Sequence, residues 1–420
     1  MPPNLSITSL GATTLMLAVT LALSACDRTP NTRSAPERPV SALGGEAPAS
    51  SCAAALREGT LCHAANAFAD SMLKAGELVG LAVMQNVQTG EMVVLAASHP
   101  DELDVASTVL PLSLSKLWLA AAWWESAGPD TTTFTSSRGR AGAANPAFRS
   151  RVNMHEMVVG GSDSAGREAA ERLRALAGSS GALALMERFG LSTGECGGRD
   201  SAFWGEIPRA WESRLVPPRA TLSLTPDSDA PVWNDVFSIG ETHFGVTALH
   251  VSRFLQAVGN DGHLLPPIAR PAADDAPASP PRRLPGSAGG RIMTVETARR
   301  LQSALRDVVS RGTATSVAGS LAEHGWTMGG KTGSGPGTTP LGPNSDGWFA
   351  GLVFDPQAKP RFTVACFIRR AGPGGGNAAR LCAGVARFVV GGVSGERPGT
   401  RERPRQEPGP GAGGRPRPLG

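Results

Sequence analysis

Two lysines stand beside serines in patterns that suit acyl-transfer chemistry. The sequence holds 40 Lys and Arg residues, and only four of them are lysine. Lys116 closes the run Ser113-Leu114-Ser115-Lys116, and Lys331 opens the run Lys331-Thr332-Gly333-Ser334. A buried ammonium can give up its proton and become a base, whereas a guanidinium stays charged. The first run therefore indicates a serine nucleophile paired with a lysine base.

The segment around Ser113 is predicted to be the start of a buried helix. Residues 112–125 follow Pro111 and are apolar nearly all round, which is typical of a helix inside a large lobe. On such a helix Ser113 and Lys116 lie one turn apart on one face. The first turn also offers free backbone N–H groups and positive dipole, and both stabilise an oxyanion. The nucleophile, the base and the hydrogen-bond donors for the oxyanion are therefore all predicted at the N-terminal end of one helix.

The remaining elements predict an α+β fold. Residues 81–87 and 92–97 predict a hairpin, and residues 325–333, 347–354 and 361–368 predict three more strands before a helix at 377–390. We expect a five-stranded antiparallel sheet flanked by helices, with an all-helical lobe between its two halves. The active site is expected in the cleft between the sheet and that lobe.

A third motif completes a resemblance to a known family. Ser162-Asp163-Ser164 lies between the two lysine motifs and precedes a helical stretch at 165–176. In this order the motifs resemble the Ser-x-x-Lys, Ser-x-Asn and Lys-Thr-Gly of the penicillin-binding, active-site-serine D,D-peptidases and transpeptidases, especially the class B transpeptidase domain. Similar flanking segments, among them Gly347-Trp348-Phe349, extend the resemblance over roughly residues 78–390.

The resemblance implies catalytic roles for four residues. Ser113 attacks a carbonyl to form an acyl-enzyme, and Lys116, desolvated and kept neutral by nearby positive charge, takes its proton. Ser162 relays protons among Lys116, Lys331 and the leaving group. Lys331 supplies positive potential. No metal or organic cofactor is expected.

The resemblance also implies a substrate site. Thr332 and Ser334 bind the terminal carboxylate of the substrate, and Gly333 and Ser164 complete the substrate-binding residues. The backbone N–H groups of Ser113 and Ser334 form the oxyanion hole. The implied substrate is the D-Ala-D-Ala end of a peptidoglycan stem peptide, and β-lactams acylate Ser113 as its mimics.

One departure from the family pattern keeps other functions open. Ser164 replaces the usual asparagine, whose longer amide both donates and accepts hydrogen bonds. A serine β-lactamase would share the fold and the acylation step, but it needs a carboxylate that activates the deacylating water. A non-catalytic, β-lactam-sensing lipoprotein is the third possibility.

The two ends of the chain predict export and anchoring. Residues 1–25 are expected to be a lipoprotein-type signal peptide, with lipidation at Cys26, although a transmembrane helix is an alternative. A flexible tether at 26–50 precedes the transpeptidase-like domain at 51–392, and a disordered Pro/Gly/Arg-rich tail follows at 393–420. This organisation places the domain in the cell envelope, anchored to a membrane and facing the periplasm or extracytoplasmic space.

Charge and cysteine content narrow the set of partners. The formal net charge is +4, and no pattern suggests nucleic acid; the sequence identifies no protein partner. Cys52 with Cys62 and Cys366 with Cys382 are the expected disulfides of an exported chain, and Cys196 is expected to be a free thiol. No Cys or His spacing indicates a metal site.

Overall fold

A computed structural model describes residues 62–105, 107–139, 143–193, 221–225, 227–267, 289–335 and 345–394. The predicted signal peptide, the lipidation site Cys26, the tether and the C-terminal tail lie outside the described residues. So do Cys52, the expected disulfide partner of Cys62, and Cys196.

The described residues form twelve strands and eight α-helices. The strands are β1 (Gly80–Asn86), β2 (Met92–Ala97), β3 (Phe134–Thr135), β4 (Arg151–Val152), β5 (Ser192–Thr193), β6 (Thr221–Leu222), β7 (Phe244–Gly245), β8 (His263–Leu264), β9 (Gly290–Arg291), β10 (Thr327–Gly335), β11 (Asp346–Phe354) and β12 (Pro360–Ile368). The helices are α1 (His63–Ala75), α2 (Ser115–Glu125), α3 (Met154–Gly160), α4 (Asp163–Arg188), α5 (Ala230–Ser238), α6 (Ala248–Gly259), α7 (Val295–Arg311) and α8 (Asn377–Ser394).

A five-stranded antiparallel sheet organises the fold. Its strand order is β10-β11-β12-β1-β2, so the N-terminal hairpin and the three C-terminal strands join where β12 pairs with β1. In this register Ala82 lies opposite Cys366 and Gly80 opposite Ile368. The predicted sheet and its α+β class are confirmed.

Helices cover both faces of this sheet. Helices α1 and α8 pack on one face, and α6 and α7 pack on the other. Strands β11 and β12 are consequently buried along almost their whole length. Both were recognisable in the sequence because a strand covered on two faces is a continuous apolar run.

The helical lobe is inserted between β2 and β10. Helix α2 is buried from Ser115 to Trp124, and Trp118 packs edge-on against Phe244 with ring centroids 5.5 Å apart. Trp118 also contacts Phe254 of α6, at 4.8 Å between ring centroids. These rings join the lobe to the helical layer on the sheet.

The start of α2 and the end of α4 differ from the prediction. Helix α2 begins at Ser115, because a 3₁₀ turn at Leu112–Leu114 precedes it. Helix α4 continues to Arg188, well past the predicted end at residue 176, with a break at Gly178, where φ is +72°. Glycine reaches this left-handed region at little cost, so the chain bends there and resumes its helical course.

A disulfide joins the last helix to the sheet. Cys366 of β12 and Cys382 of α8 are bonded, with their Cα atoms 5.8 Å apart. This pairing confirms one of the two disulfides expected from the sequence. Both cysteines are fully buried, so the bond lies inside the layer between sheet and helix.

Two features are absent from the described residues. No helix in these ranges is both long and apolar enough to cross a membrane. The same ranges contain no group of three His, Cys, Asp or Glu side chains placed to hold a metal ion.

Replacing both Cys366 and Cys382 with alanine is expected to lower the free energy of unfolding by about 2–4 kcal/mol. The disulfide closes a loop between residues 16 apart and restricts the unfolded chain. Urea denaturation of the double variant and of the oxidised and reduced protein measures this effect. The reduced protein should match the double variant, and an unchanged midpoint in both would contradict a stabilising role.

Candidate active site

Ser113 lies in a constrained turn at the head of α2. The preceding residue, Leu112, has a φ of +53°, a region that leucine rarely adopts. Its N–H donates to Gly240 O at 3.1 Å, and a Cβ on Gly240 would lie 2.3 Å from Leu112 O. On the other side a Cβ on Gly333 of β10 would lie 3.2 Å from Leu112 Cβ. Close packing against two glycines therefore holds the strained turn that presents the half-buried Ser113.

Lys116 is fully buried and reaches three oxygen atoms. Its Nζ lies 2.9 Å from Ser113 Oγ and 2.7 Å from Asp163 Oδ1, and it also contacts Ser238 O. A charged Lys116 donates one hydrogen bond to each oxygen. A neutral Lys116 donates to Asp163 and Ser238 and keeps its lone pair for the Ser113 hydroxyl proton. The same geometry thus fits both protonation states of a general base.

Opposing effects set the pKa of Lys116. Burial is the largest of them and holds this pKa below its ordinary value, although the Asp163 carboxylate raises it. The charges of Arg138 and Arg167 lower it further. The expected positive charge therefore acts on Lys116, but burial acts more strongly. The Asp163 carboxylate, which opposes both effects, was not predicted from the sequence.

The second motif caps helix α4. Ser162 is the N-cap residue, and its Oγ accepts a hydrogen bond from the Ala165 N–H at 3.4 Å. Asp163 is the first helical residue, where the helix dipole favours a negative charge. Burial would raise the pKa of Asp163, but the pairing with Lys116 and the charges of Arg138 and Lys331 together hold it below its ordinary value.

The serine hydroxyls of the second motif face each other. Ser162 Oγ lies 3.2 Å from Ser164 Oγ, and within the described part of the chain it makes no hydrogen bond to Lys116 or Lys331. Ser164 Oγ accepts from the Ser137 N–H at 2.7 Å and lies 3.0 Å from Thr135 O. The structure therefore turns Ser164 toward residues 135–137, to which it is hydrogen-bonded.

Lys331 lies close to the second motif. Its Nζ donates to Thr332 O at 2.9 Å, and a Cβ on Gly161 would lie 3.5 Å from it. Burial holds the pKa of Lys331 well below its ordinary value; the charges of Lys116 and Arg138 lower it further, and Asp163 opposes them. The two lysines therefore disfavour each other's charged form.

The other residues of the third motif lie along the edge strand β10. Thr332 Oγ1 is 2.7 Å from Thr313 Oγ1, and Ser334 Oγ accepts the Gly374 N–H at 3.0 Å. Gly333 pairs with Trp348 of β11 and also contacts the turn that carries Ser113. The edge strand thus brings the third motif alongside the first.

Three functional groups were missed in the sequence. Asp163 lies inside the second motif, but only the two serines beside it were predicted to have a role. Its position as first residue of a helix was the available signal, because acidic side chains are favoured there. Ser238 contributes a backbone carbonyl, which no side-chain pattern reveals. Arg138 is remote from every motif in the sequence.

Comparison with known proteins identifies the family. The model of the penicillin binding protein transpeptidase domain matches residues 80–385, well over half of the chain. This chain belongs to that family. No curated protein matches it.

Solved structures share the fold of this penicillin-binding family member. The transpeptidase domain of penicillin-binding protein 3 from Burkholderia pseudomallei is 18% identical, with a TM-score of 0.55, over 78% of this chain and 91% of that one. Penicillin-binding protein A from Mycobacterium tuberculosis is 17% identical, with a TM-score of 0.55, over 82% and 79% of the two chains. Its imipenem acyl-enzyme complex is also 17% identical, with a TM-score of 0.56, over 78% and 77%.

Replacing Asp163 with asparagine is expected to shift the pH dependence of covalent labelling by a penicillin. Because the carboxylate raises the pKa of Lys116, its removal makes the neutral base available at lower pH. The pH at which the labelling rate rises should be lower by about one pH unit. Rate constants measured between pH 5 and 9 test this shift.

The matched control is Asp261→Asn, which removes an equal charge from an exposed pair with Arg299. This control should leave the pH dependence of the labelling rate unchanged. A profile of Asp163→Asn that stays fixed or moves to higher pH, in protein with a normal thermal melt, would show that Asp163 does not set the pKa of Lys116.

Proposed function

We propose that this chain is a D,D-transpeptidase-like enzyme that acts on the D-Ala-D-Ala end of peptidoglycan stem peptides through an acyl-enzyme on Ser113. One observation carries the proposal: Lys116 Nζ lies 2.9 Å from Ser113 Oγ and is fully buried. Membership of the penicillin-binding transpeptidase family supports it.

The acylation step follows from the contacts of Lys116. Neutral Lys116 takes the hydroxyl proton while Ser113 Oγ attacks the carbonyl carbon of the penultimate D-alanine. Asp163 and Ser238 O then hold the ammonium that forms, because both accept its hydrogen bonds. The oxyanion is bound by the backbone N–H groups of Ser113 and Ser334.

Collapse of the tetrahedral intermediate completes acyl transfer to the enzyme. The C–N bond breaks, the leaving D-alanine amine receives the proton that Lys116 took, and the Ser113 ester remains. Ser162 is the proposed relay for this proton. Its hydroxyl bonds Ser164 in the structure, so the relay requires a rotation of Ser162 toward the lysines.

The substrate carboxylate is assigned to the third motif. Thr332 and Ser334 lie on the edge strand β10, and their hydroxyls bond Thr313 Oγ1 and the Gly374 N–H. An acceptor amine or water then attacks the Ser113 ester, which gives transpeptidation or carboxypeptidation. No step in this scheme uses a metal or an organic cofactor.

β-Lactams are the second proposed class of ligand. Structures of penicillin-binding protein A from M. tuberculosis include acyl-enzyme complexes with ceftriaxone and imipenem, which supports the same reaction at Ser113. The family also supports an extracytoplasmic function in the cell envelope. Lipidation of Cys26 stays a prediction from the sequence.

Replacing Ser113 with alanine is expected to abolish covalent labelling by a fluorescent penicillin. The control is Ser115→Ala in the same motif, since Ser115 is buried in α2 and its hydroxyl makes no hydrogen bond to the described residues Ser113 and Lys116. Gel fluorescence with mass spectrometry of the labelled peptide checks both variants. Labelling that persists in Ser113→Ala would overturn the nucleophile assignment.

The lifetime of the adduct separates the candidate reactions. Turnover over minutes or longer supports a transpeptidase or carboxypeptidase, whereas rapid cephalosporin hydrolysis would favour a β-lactamase.

Arginine substitutions at the two lysines are expected to have unequal effects. Lys116→Arg removes a group that must lose a proton and should slow acylation by about a hundred- to ten-thousand-fold. Lys331→Arg supplies a positive charge and hydrogen-bond donors at the same position and should retain a larger fraction of the rate. Stopped-flow acylation of folded variants tests the order, and equal losses or the reverse order would contradict these roles.

A further inference from the structure

A short segment between α2 and α3 borders the catalytic residues. We call residues 133–139 the strap. The Thr135 N–H donates to Glu168 Oε2 at 2.6 Å, and the Ser136 N–H donates to Ser150 O at 2.9 Å. The Ser137 N–H donates to Ser164 Oγ at 2.7 Å. Three consecutive backbone groups therefore fix the strap beside the second motif.

Side chains of the strap alternate between core and solvent. Phe134 is fully buried and packs edge-on against Trp123, with ring centroids 5.4 Å apart, and Ser136 is also buried. Thr135, Ser137 and Arg138 are exposed. This anchoring gives the Arg138 backbone a fixed position, one residue from the contact between Ser137 and Ser164.

The exposed Arg138 side chain follows the Ser137–Ser164 contact directly in the chain, and its charge acts on all three charged groups of the site. Its positive charge lowers the pKa of Lys116, Asp163 and Lys331. Within the described ranges Arg138 itself makes no hydrogen bond or ion pair. A guanidinium keeps its charge at every pH that a protein tolerates, so Arg138 is a permanent cation at the site.

The carboxylates nearby are already engaged. Asp163 pairs with Lys116 at 2.7 Å, and Asp235 pairs with Arg167 at 2.6 Å. Among the residues that the structure describes, no carboxylate forms a direct ion pair with Arg138. Guanidinium groups bind carboxylates through two parallel hydrogen bonds, which gives both affinity and orientation.

We propose that Arg138 is a specificity-determining residue that binds a second carboxylate on the acyl-donor peptide, distinct from its C-terminal carboxylate. The C-terminal group is assigned to Thr332 and Ser334 on β10, whereas Arg138 lies on the strap beside Ser164. An acyl-donor peptide that extends from β10 to the strap would have one carboxylate bound at β10 and the other bound by Arg138. This inference rests on the proposed function and names the chemical class of its substrate.

The contact between Arg138 and the substrate carboxylate should act on binding rather than on the chemical step. Removal of Arg138 also changes the charge that acts on Lys116, and this effect is the same for every donor. Loss of the contact should therefore raise KM for a carboxylate-bearing donor relative to a donor that lacks the carboxylate. Charge-assisted hydrogen bonds of this kind contribute about ten- to a hundredfold in affinity.

The test compares two penicillins that differ only by a carboxylate on the side-chain carbon next to the amide. The second-order rate constant for acylation is measured with each compound for the wild type and for Arg138→Gln and Arg138→Lys. The ratio of the two constants cancels differences in folding and in the reactivity of Ser113. The rate constant for the carboxylate-bearing penicillin, divided by that for the other penicillin, should fall about tenfold or more in Arg138→Gln and less in Arg138→Lys. Arg299→Gln, at an exposed arginine on α7, should keep the wild-type ratio.

A second arm uses D-Ala-D-Ala peptides with a free or an amidated side-chain carboxylate. The wild type should show the lower KM for the free acid, and Arg138→Gln should lose this difference, with any change in kcat shared by the two peptides. An unchanged ratio in Arg138→Gln with the penicillins, or an equal KM for the two peptides in the wild type, would overturn the role of Arg138. Absence of labelling by either penicillin in the wild type would instead contradict the proposed function, and the inference with it.

Discussion

The contacts of the buried Lys116 ammonium are the constraint on which the rest of this site depends. Removing such a charge from water costs on the order of several kcal/mol unless close partners replace the lost hydration. Here the partners come from three separate elements: Ser113 before α2, Asp163 at the head of α4, and the carbonyl of Ser238 at the end of α5. The helical lobe must therefore be assembled before Lys116 has all three contacts, so the geometry of the candidate site depends on the packing of the lobe.

Small residues make this close assembly possible. A Cβ on Gly166 of α4 would lie 2.9 Å from Ser238 Cβ and 3.6 Å from Lys116 Cε. Gly161 similarly leaves room for Lys331 where α3 ends, with a φ of +65° that suits glycine. Two glycines on either side of the second motif thus allow both lysines to approach Asp163. Electrostatic coupling among the three groups is a direct result of that proximity.

The sequence revealed the fold more completely than the site. Strands β11 and β12 are long apolar runs, and α8 carries a clear amphipathic pattern, so the sheet and its terminal helix were predictable. The 3₁₀ turn before α2 was not, because the positive φ of Leu112 depends on packing against Gly240 and Gly333 from distant parts of the chain. The proximity of Asp163 to Lys116 and of Arg138 to both has the same origin, since tertiary contacts have no signature in local spacing.

The order of strands has a consequence for how this chain is made. Gly80 of β1 pairs with Ile368 of β12, so the central strand pair joins residues almost three hundred positions apart. During synthesis from the N-terminus, the hairpin β1–β2 is made early. Its partner strand β12 is made near the end, so the apolar surface of the hairpin is uncovered in between. Such long-range pairing slows folding and prolongs the exposure of an open strand edge. Until the last strands are made, helix α1, which precedes the hairpin and contacts both of its strands, is the described element available to cover it.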